Sequence, residues 1–234
     1  MFPSFDDNRN LLEELRRETS LDLLGAADIR QERSTFQGFP TGFLEAFPTA
    51  IVIAVHVSAA VLNTLEDGPN LIYYHHYRQL NFQLDRAAGR IAQEIERKGY
   101  STLPIPASQI TDWEKMAGHV SHKELARLAG LGWRGRNNLL VVPKWGAQVR
   151  LASILTDFPL QPAHPMQTDC GSCQRCLAIC PASAIKMQAT AFNHSACYHQ
   201  LREFSRTRHI GQYVCGLCVK VCPGAGSSRT SISS

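Results

Sequence analysis

All eight cysteines of this 234-residue chain lie between positions 170 and 222, and the first 169 residues contain none. Disulfides would not crowd in this way. The first group, "CGSCQRCLAICP", places Cys170, Cys173, Cys176 and Cys180 in a C-x2-C-x2-C-x3-C-P run. The second, "CGLCVKVCP", repeats the last three positions with Cys215, Cys218 and Cys222, and Cys197 upstream supplies the missing member. In such runs three closely spaced thiolates grip one [4Fe–4S] cubane, and the fourth cysteine, followed by proline, turns toward a second cluster. The reciprocal rule gives one set of Cys170, Cys173, Cys176 and Cys222, and another of Cys180, Cys197, Cys215 and Cys218. Every cysteine is used, so none is left as a nucleophile.

A structural zinc site is the plainer alternative, because C-x2-C pairs also hold zinc. Two reciprocal C-x3-C-P endings argue against it. Charge points the same way. Residues 161–234 carry seven basic side chains and two acids, whereas the whole chain is +4. Two four-thiolate clusters bring a formal charge of about −4, which accounts for the basic excess without nucleic acid. No apolar run approaches the roughly 18 residues of a membrane span. The start "MFPSFDDNRN" has early acids and no apolar core, so it reads as folded sequence rather than a leader, and the expected location is cytoplasmic.

Upstream of the cysteines the pattern is α+β. "LDLLGAADI" (21–29) and "TAIVIAVHV" (49–57) read as strands, the second apolar on both faces and so buried. Residues 71–100 form one long amphipathic helix with Leu80, Leu84, Ala88, Ile91 and Ile95 on the apolar face and Gly99 at its end. "YSTLPIPAS" is extended, and "VRLASILTDFPL" (149–160) is a further strand. Two domains are expected, 1–160 and 161–234, with "GAGSSRTSISS" (224–234) as a frayed tail.

Between them stands "GLGWRGRNNLL", with Gly130, Gly132 and Gly135 in G-x-G-x-x-G spacing. A dinucleotide turn needs a strand before the glycines and a helix after them. Here a short helix, "SHKELARLAG", precedes and an apolar strand, "NNLLVVP", follows. The order is inverted, and a nicotinamide cofactor is not expected.

Residues from about 119 to 223, comprising this helix, the glycine stretch, a strand ending L-T-D-F-P-L and the two cysteine groups, resemble the epoxyqueuosine reductase family. Reductive dehalogenases share its architecture. The resemblance implies a nitroreductase-like sheet-and-helix domain that binds a cobalamin, followed by a small ferredoxin-like domain with two [4Fe–4S] clusters. It implies corrinoid contacts from His76 and Tyr77 on the long helix, from Ser121 and Lys123, and from Gly132, Trp133, Arg136 and Asn137 in the glycine turn. Arg136 stands where the family usually has lysine.

The family's general acid is an aspartate just before the short helix. The corresponding stretch here, "MAGHVSHKELA", has no carboxylate at that place, which leaves His119 and His122 as candidate proton donors. His119 is the better candidate, because the helix dipole would lower the pKa of His122. Cubane potentials reach down to about −700 mV, low enough to reduce a corrinoid. The expected activity is therefore electron transfer through the clusters to a corrinoid for reductive cleavage of a C–O or similar bond. An electron-transfer module that reduces a partner, without turnover of its own, is the alternative. Expected partners are a low-potential donor such as a ferredoxin or flavodoxin and a small-molecule or modified-nucleoside substrate. Family members continue past the second C-P into helices that grip tRNA and this sequence does not, so tRNA is the less favoured partner.

Overall fold

A computed structural model describes residues 5–112, 117–222 and Gly224. Pro223 and, apart from Gly224, the expected frayed tail lie outside the described residues. By contacts the chain forms two compact units that interleave along the sequence. One comprises residues 1–57, 75–133 and 150–167, and the other 58–74, 134–149 and 168–234. A single cut at residue 160 does not produce these two units.

The first unit is built on a four-stranded sheet in the order β1-β2-β6-β3. β1 (Leu23–Asp28) runs antiparallel to β2 (Thr49–His56), from Leu23 opposite Ala54 to Asp28 opposite Thr49. β3 (Thr102–Ile105) runs antiparallel to β6 (Val149–Thr156), with Thr102 opposite Thr156 and Ile105 opposite Ser153. Ala50 to Val55 are buried without interruption, as the two-faced apolar pattern requires. The long helix α3 (Leu71–Glu96) buries Leu80, Leu84, Ala88, Ile91 and Ile95. It stops four residues short of the expected end, at a turn where the Gly99 N–H donates to Glu96 O and Gly99 takes φ +86°.

Two further helices complete this unit. α1 (Phe5–Glu18) packs against β1, buries Leu12 and Leu15, and ties its buried Asn8 to Pro159 O at 2.8 Å. α4 (His122–Leu128) packs on β1 and β2. No helix among the described residues is long and apolar enough to cross a membrane.

The second unit has short elements: α2 (Ala59–Asn63), β5 (Leu140–Val141), α5 (Arg175–Ile179), α6 (His194–Thr207) and α7 (Leu217–Lys220). β5 pairs with β4 (Trp133–Arg134), so the apolar run expected as a strand after the glycines is the return arm of a tight hairpin. Helix α4 before this hairpin and a strand after it preserve the inverted order that excludes a dinucleotide turn.

Glycines let the inserted segments close on the cysteine region. A Cβ at Gly216 would stand 2.7 Å from both Leu65 and Tyr73, and one at Gly68 would stand 2.8 Å from Phe204. Side chains then fix the contacts. Arg208 pairs with Asp67 at 2.7 Å, Lys220 Nζ donates to Leu65 O at 2.5 Å, and Gln148 donates to Lys220 O at 3.1 Å.

Candidate functional site

The thiols of the second unit lie close enough to perturb one another. Burial pushes the Cys176 thiol up to about 11, and Cys222, Cys170 and Cys173 add to the rise. Cys222 is itself raised, by burial first, and feels Cys170 and Cys173. Burial likewise lifts Cys215 to about 11, with Cys197 and Cys180 contributing. Cys218 lies well above the usual thiol range because it is enclosed, with Cys215, Cys197, Cys176 and Cys180 around it. Buried sulfurs crowded together favour the protonated form, unless a metal centre takes up the negative charge. A metal centre held by thiolates at these positions would therefore both stabilise them and be stabilised by them. Among the described residues no group of three or more His, Cys, Asp or Glu side chains is placed to hold a single metal ion.

Local geometry brings the sulfurs into place. α5 begins directly after the Cys170–Cys173 turn, in which the Cys173 N–H donates to Cys170 O at 3.0 Å, and it carries the buried Cys176. Asn193 caps α6 by accepting from the Ala196 N–H at 3.0 Å, and Cys197 follows one residue later. Gly216 takes φ +85° ahead of α7, which carries Cys218. Cys222 receives N–H groups from Ala147 and Gly224, which oppose the effect of burial on its thiol.

At that point two backbone segments nearly touch. A Cβ on Gly146 would stand 2.1 Å from Cys222 O, and one on Gly224 would stand 2.5 Å from Pro143 O. Both glycines also adopt positive φ.

The turn residues Arg136 and Asn137, expected at a corrinoid, serve the cysteine loops instead. The Arg136 guanidinium donates to Gly171 O and Cys173 O, both at 2.7 Å, and to Met187 O at 2.6 Å. Asn137 Oδ1 accepts from the Leu139 N–H at 3.3 Å, and its Nδ2 reaches Cys218 O at a long 3.5 Å. Two of the three glycines in the turn are likewise explained by the protein's own chain. A Cβ at Gly130 would meet His164 O at 2.8 Å, and one at Gly135 would meet Val141 Cγ2 at 2.5 Å.

The other candidates lie in the first unit. Tyr77 is held by Arg150, whose guanidinium sits 4.1 Å from the ring centroid, and its hydroxyl is 3.1 Å from Ser108 Oγ. Arg150 also donates to the buried Asn81 at 3.0 and 3.1 Å, and Asp85 accepts from the Ala107 N–H at 2.8 Å. This polar seam continues to His122, where Nε2 donates to Pro106 O and Nδ1 accepts from Ser153 Oγ, both at 2.9 Å. The seam unites Tyr77 and His122. It also includes Asn81, Arg150 and Ser153, which sequence reasoning missed because their partners are distant in the chain.

His122 is therefore a structural residue, with both ring nitrogens engaged. Burial, rather than the helix dipole, lowers its pKa to about 4, which removes it as a proton donor near neutral pH. Ser121 is the N-cap of α4 and accepts from the Glu124 N–H at 3.4 Å, and Lys123 lies in the first helical turn. His119 sits on the loop at 37–39, donating from Nδ1 to Gln37 O at 2.9 Å and lying 5.2 Å from the Phe39 ring. His76 is half-buried, and burial lowers its pKa. Gly132 and Trp133 are buried, and Trp133 Nε1 has no hydrogen-bond partner among the described residues. An enclosed indole N–H without an acceptor costs about 1–3 kcal/mol.

The fold and the paired cysteine groups define a class, the iron–sulfur proteins with a double-cluster domain. Residues 169–225 match the 4Fe-4S double cluster binding domain. An epoxyqueuosine reductase of Listeria monocytogenes serovar 1/2a is 32% identical over 114 residues, covering 45% of this chain and 30% of that protein. The match thus spans about a third of that relative's length. A reductive dehalogenase described in terms of B12-dependent dehalogenation superposes on 95% of this chain and 32% of its own, with TM-score 0.75 and 18% identity. An epoxyqueuosine reductase solved with a modified tRNA stem loop superposes on 92% of this chain and 65% of its own, with TM-score 0.55 and 22% identity. In fold the chain is similar to reductive dehalogenases and epoxyqueuosine reductases, and in its cysteine groups to double-cluster iron–sulfur domains.

Proposed function

We propose that this chain is an iron–sulfur oxidoreductase of the epoxyqueuosine reductase type. Cys170, Cys173, Cys176 and Cys222 hold one [4Fe–4S] cluster, and Cys180, Cys197, Cys215 and Cys218 hold the other. The observation that carries this reading is the pair of reciprocal C-x3-C-P groups, which match a 4Fe-4S double cluster binding domain over residues 169–225. In the first unit His76, Tyr77, Lys123, Gly132 and Trp133 would hold a corrinoid, and the similarity to a reductive dehalogenase described in terms of B12-dependent dehalogenation supports this assignment. A corrinoid supplies reductive bond cleavage when bound. The protein supplies orientation, exclusion of water and, at His119, a proton for the leaving atom. Residues 1–160 carry the substrate chemistry and 161–234 the clusters, with the segments 58–74 and 134–149 packed among the cysteine loops. The substrate is a small molecule or modified nucleoside, and the relative solved with a tRNA stem loop supports a nucleoside. A low-potential ferredoxin or flavodoxin supplies the electrons.

Anaerobic purification with iron and sulfide analysis is the test, and about eight of each per chain are expected. Cys197→Ala should lower the iron to about four, because Cys197 belongs to one set only. Cobalamin added to the reduced protein should bind with a change in its absorption spectrum. Full cluster loading without cobalamin binding would establish the electron-carrier alternative. Zinc in place of iron would end both readings. With clusters and cofactor loaded, His119→Gln should lose turnover across pH 6 to 8 and His122→Gln should not.

A further inference from the structure

Arg136 is the most fully committed cation in the second unit. Its Nε, Nη1 and Nη2 donate to three backbone carbonyls within 2.7 Å, and two of these, Gly171 O and Cys173 O, lie inside the first cysteine loop. No carboxylate is among these acceptors. The charge is spent on backbone dipoles beside a group of sulfurs. The loop is fixed from a second side, where the Gly171 N–H donates to Asp169 Oδ1 at 2.7 Å and Gly171 adopts φ +52°.

Two physical consequences follow from this clamp. In a trans peptide the N–H points opposite to the C=O, so holding the carbonyls of Gly171 and Cys173 also fixes the N–H groups of Ser172 and Gln174. Hydrogen bonds and net charge at the sulfurs are what set the potential of a thiolate-bound cluster. A nearby cation also favours the reduced form, which carries one more negative charge than the oxidised form.

We propose that Arg136 is a positioning residue for the cluster held by Cys170, Cys173, Cys176 and Cys222. It orders the Cys170–Cys173 loop and raises that cluster's reduction potential without touching iron or sulfide. This inference rests on the two-cluster reading above.

The test uses the reconstituted full chain with Arg136→Gln and Arg136→Lys. Three measurements decide it: iron content, the two midpoint potentials followed by EPR during reductive titration, and the rate of iron loss from the oxidised protein to a ferrous chelator. Arg136→Gln should hold about eight irons with one midpoint shifted to more negative potential and the other unchanged. Half of its iron should be lost about tenfold faster than from the wild type, as expected for one lost charge-assisted clamp. Lysine keeps the charge but lacks the rigid fork that spans several carbonyls. Arg136→Lys should therefore restore most of the midpoint while its iron loss stays fast. Eight irons in the wild type, with both midpoints and the chelation rate unaltered in Arg136→Gln, would overturn the proposal. A wild type that cannot be loaded beyond four irons would instead count against the two-cluster reading.

Discussion

The first unit has an aliphatic interior: Ile51, Ile53, Leu84, Ile91, Ile95, Ile154 and Leu155 are fully enclosed. The second buries aliphatics too, among them Leu62, Leu65, Leu140, Val142, Ile185 and Leu217, but around sulfurs whose thiols are displaced upward by their own enclosure. Apolar burial in the first unit stabilises the fold without any bound group. In the second, the same burial is unfavourable for thiolates until a cation-bearing centre joins them. One unit is held by its side chains, and the other is shaped to be completed.

The strongest way to break this contrast is to strip the iron. Chelation should abolish hydrogen-exchange protection across 58–74, 134–149 and 168–222 while β2, α3 and β6 stay protected. Loss of protection in both units together would show that the aliphatic core does not stand by itself. Next in size is Leu84→Ala, which should cost the first unit about 2–5 kcal/mol in denaturant unfolding while the iron count stays the same.

Acid sharpens the contrast from another side. The pKa of His122 is about 4 in the fold against 6.5 unperturbed. Its contribution is therefore fully present above pH 6.5 and is lost as pH falls toward 4, by up to about 3 kcal/mol. His122→Gln should flatten that part of the stability profile of the first unit. Smallest is Arg97→Ala. Arg97 is exposed and pairs with Glu94 on the surface of α3, and its removal should change stability by less than about 0.5 kcal/mol.

Legibility in the sequence follows the same division. β2 and α3 were readable because an unbroken apolar run and a three-four apolar stepping leave one solution each. The two cysteine groups were readable because the spacing within each is local. α1 was not read as a helix: its sequence is mostly charged, and only Leu12 and Leu15 reach the interior. The role of Arg136 was out of reach for a different reason. Its partners lie 35, 37 and 51 residues away and are carbonyls, which carry no side-chain signature. His122 was misjudged because a helix start is visible in sequence and the enclosure supplied by Pro106 and Ser153 is not.

The interleaving of the second unit also bears on how the protein is made. Leu65 and Tyr73 leave the ribosome early, yet the segment they pack on, around Gly216, is not yet synthesised, nor is Cys222 beside Gly146. At about 5–20 residues per second, the stretch from residue 58 to residue 222 takes roughly 8–30 s to emerge. During that interval the early segment has no mate, and on the proposed ligand sets the first cysteine group lacks Cys222. Iron delivered before residue 222 has appeared would meet an incomplete cage. The order of the chain thus makes cluster insertion a late event in biosynthesis.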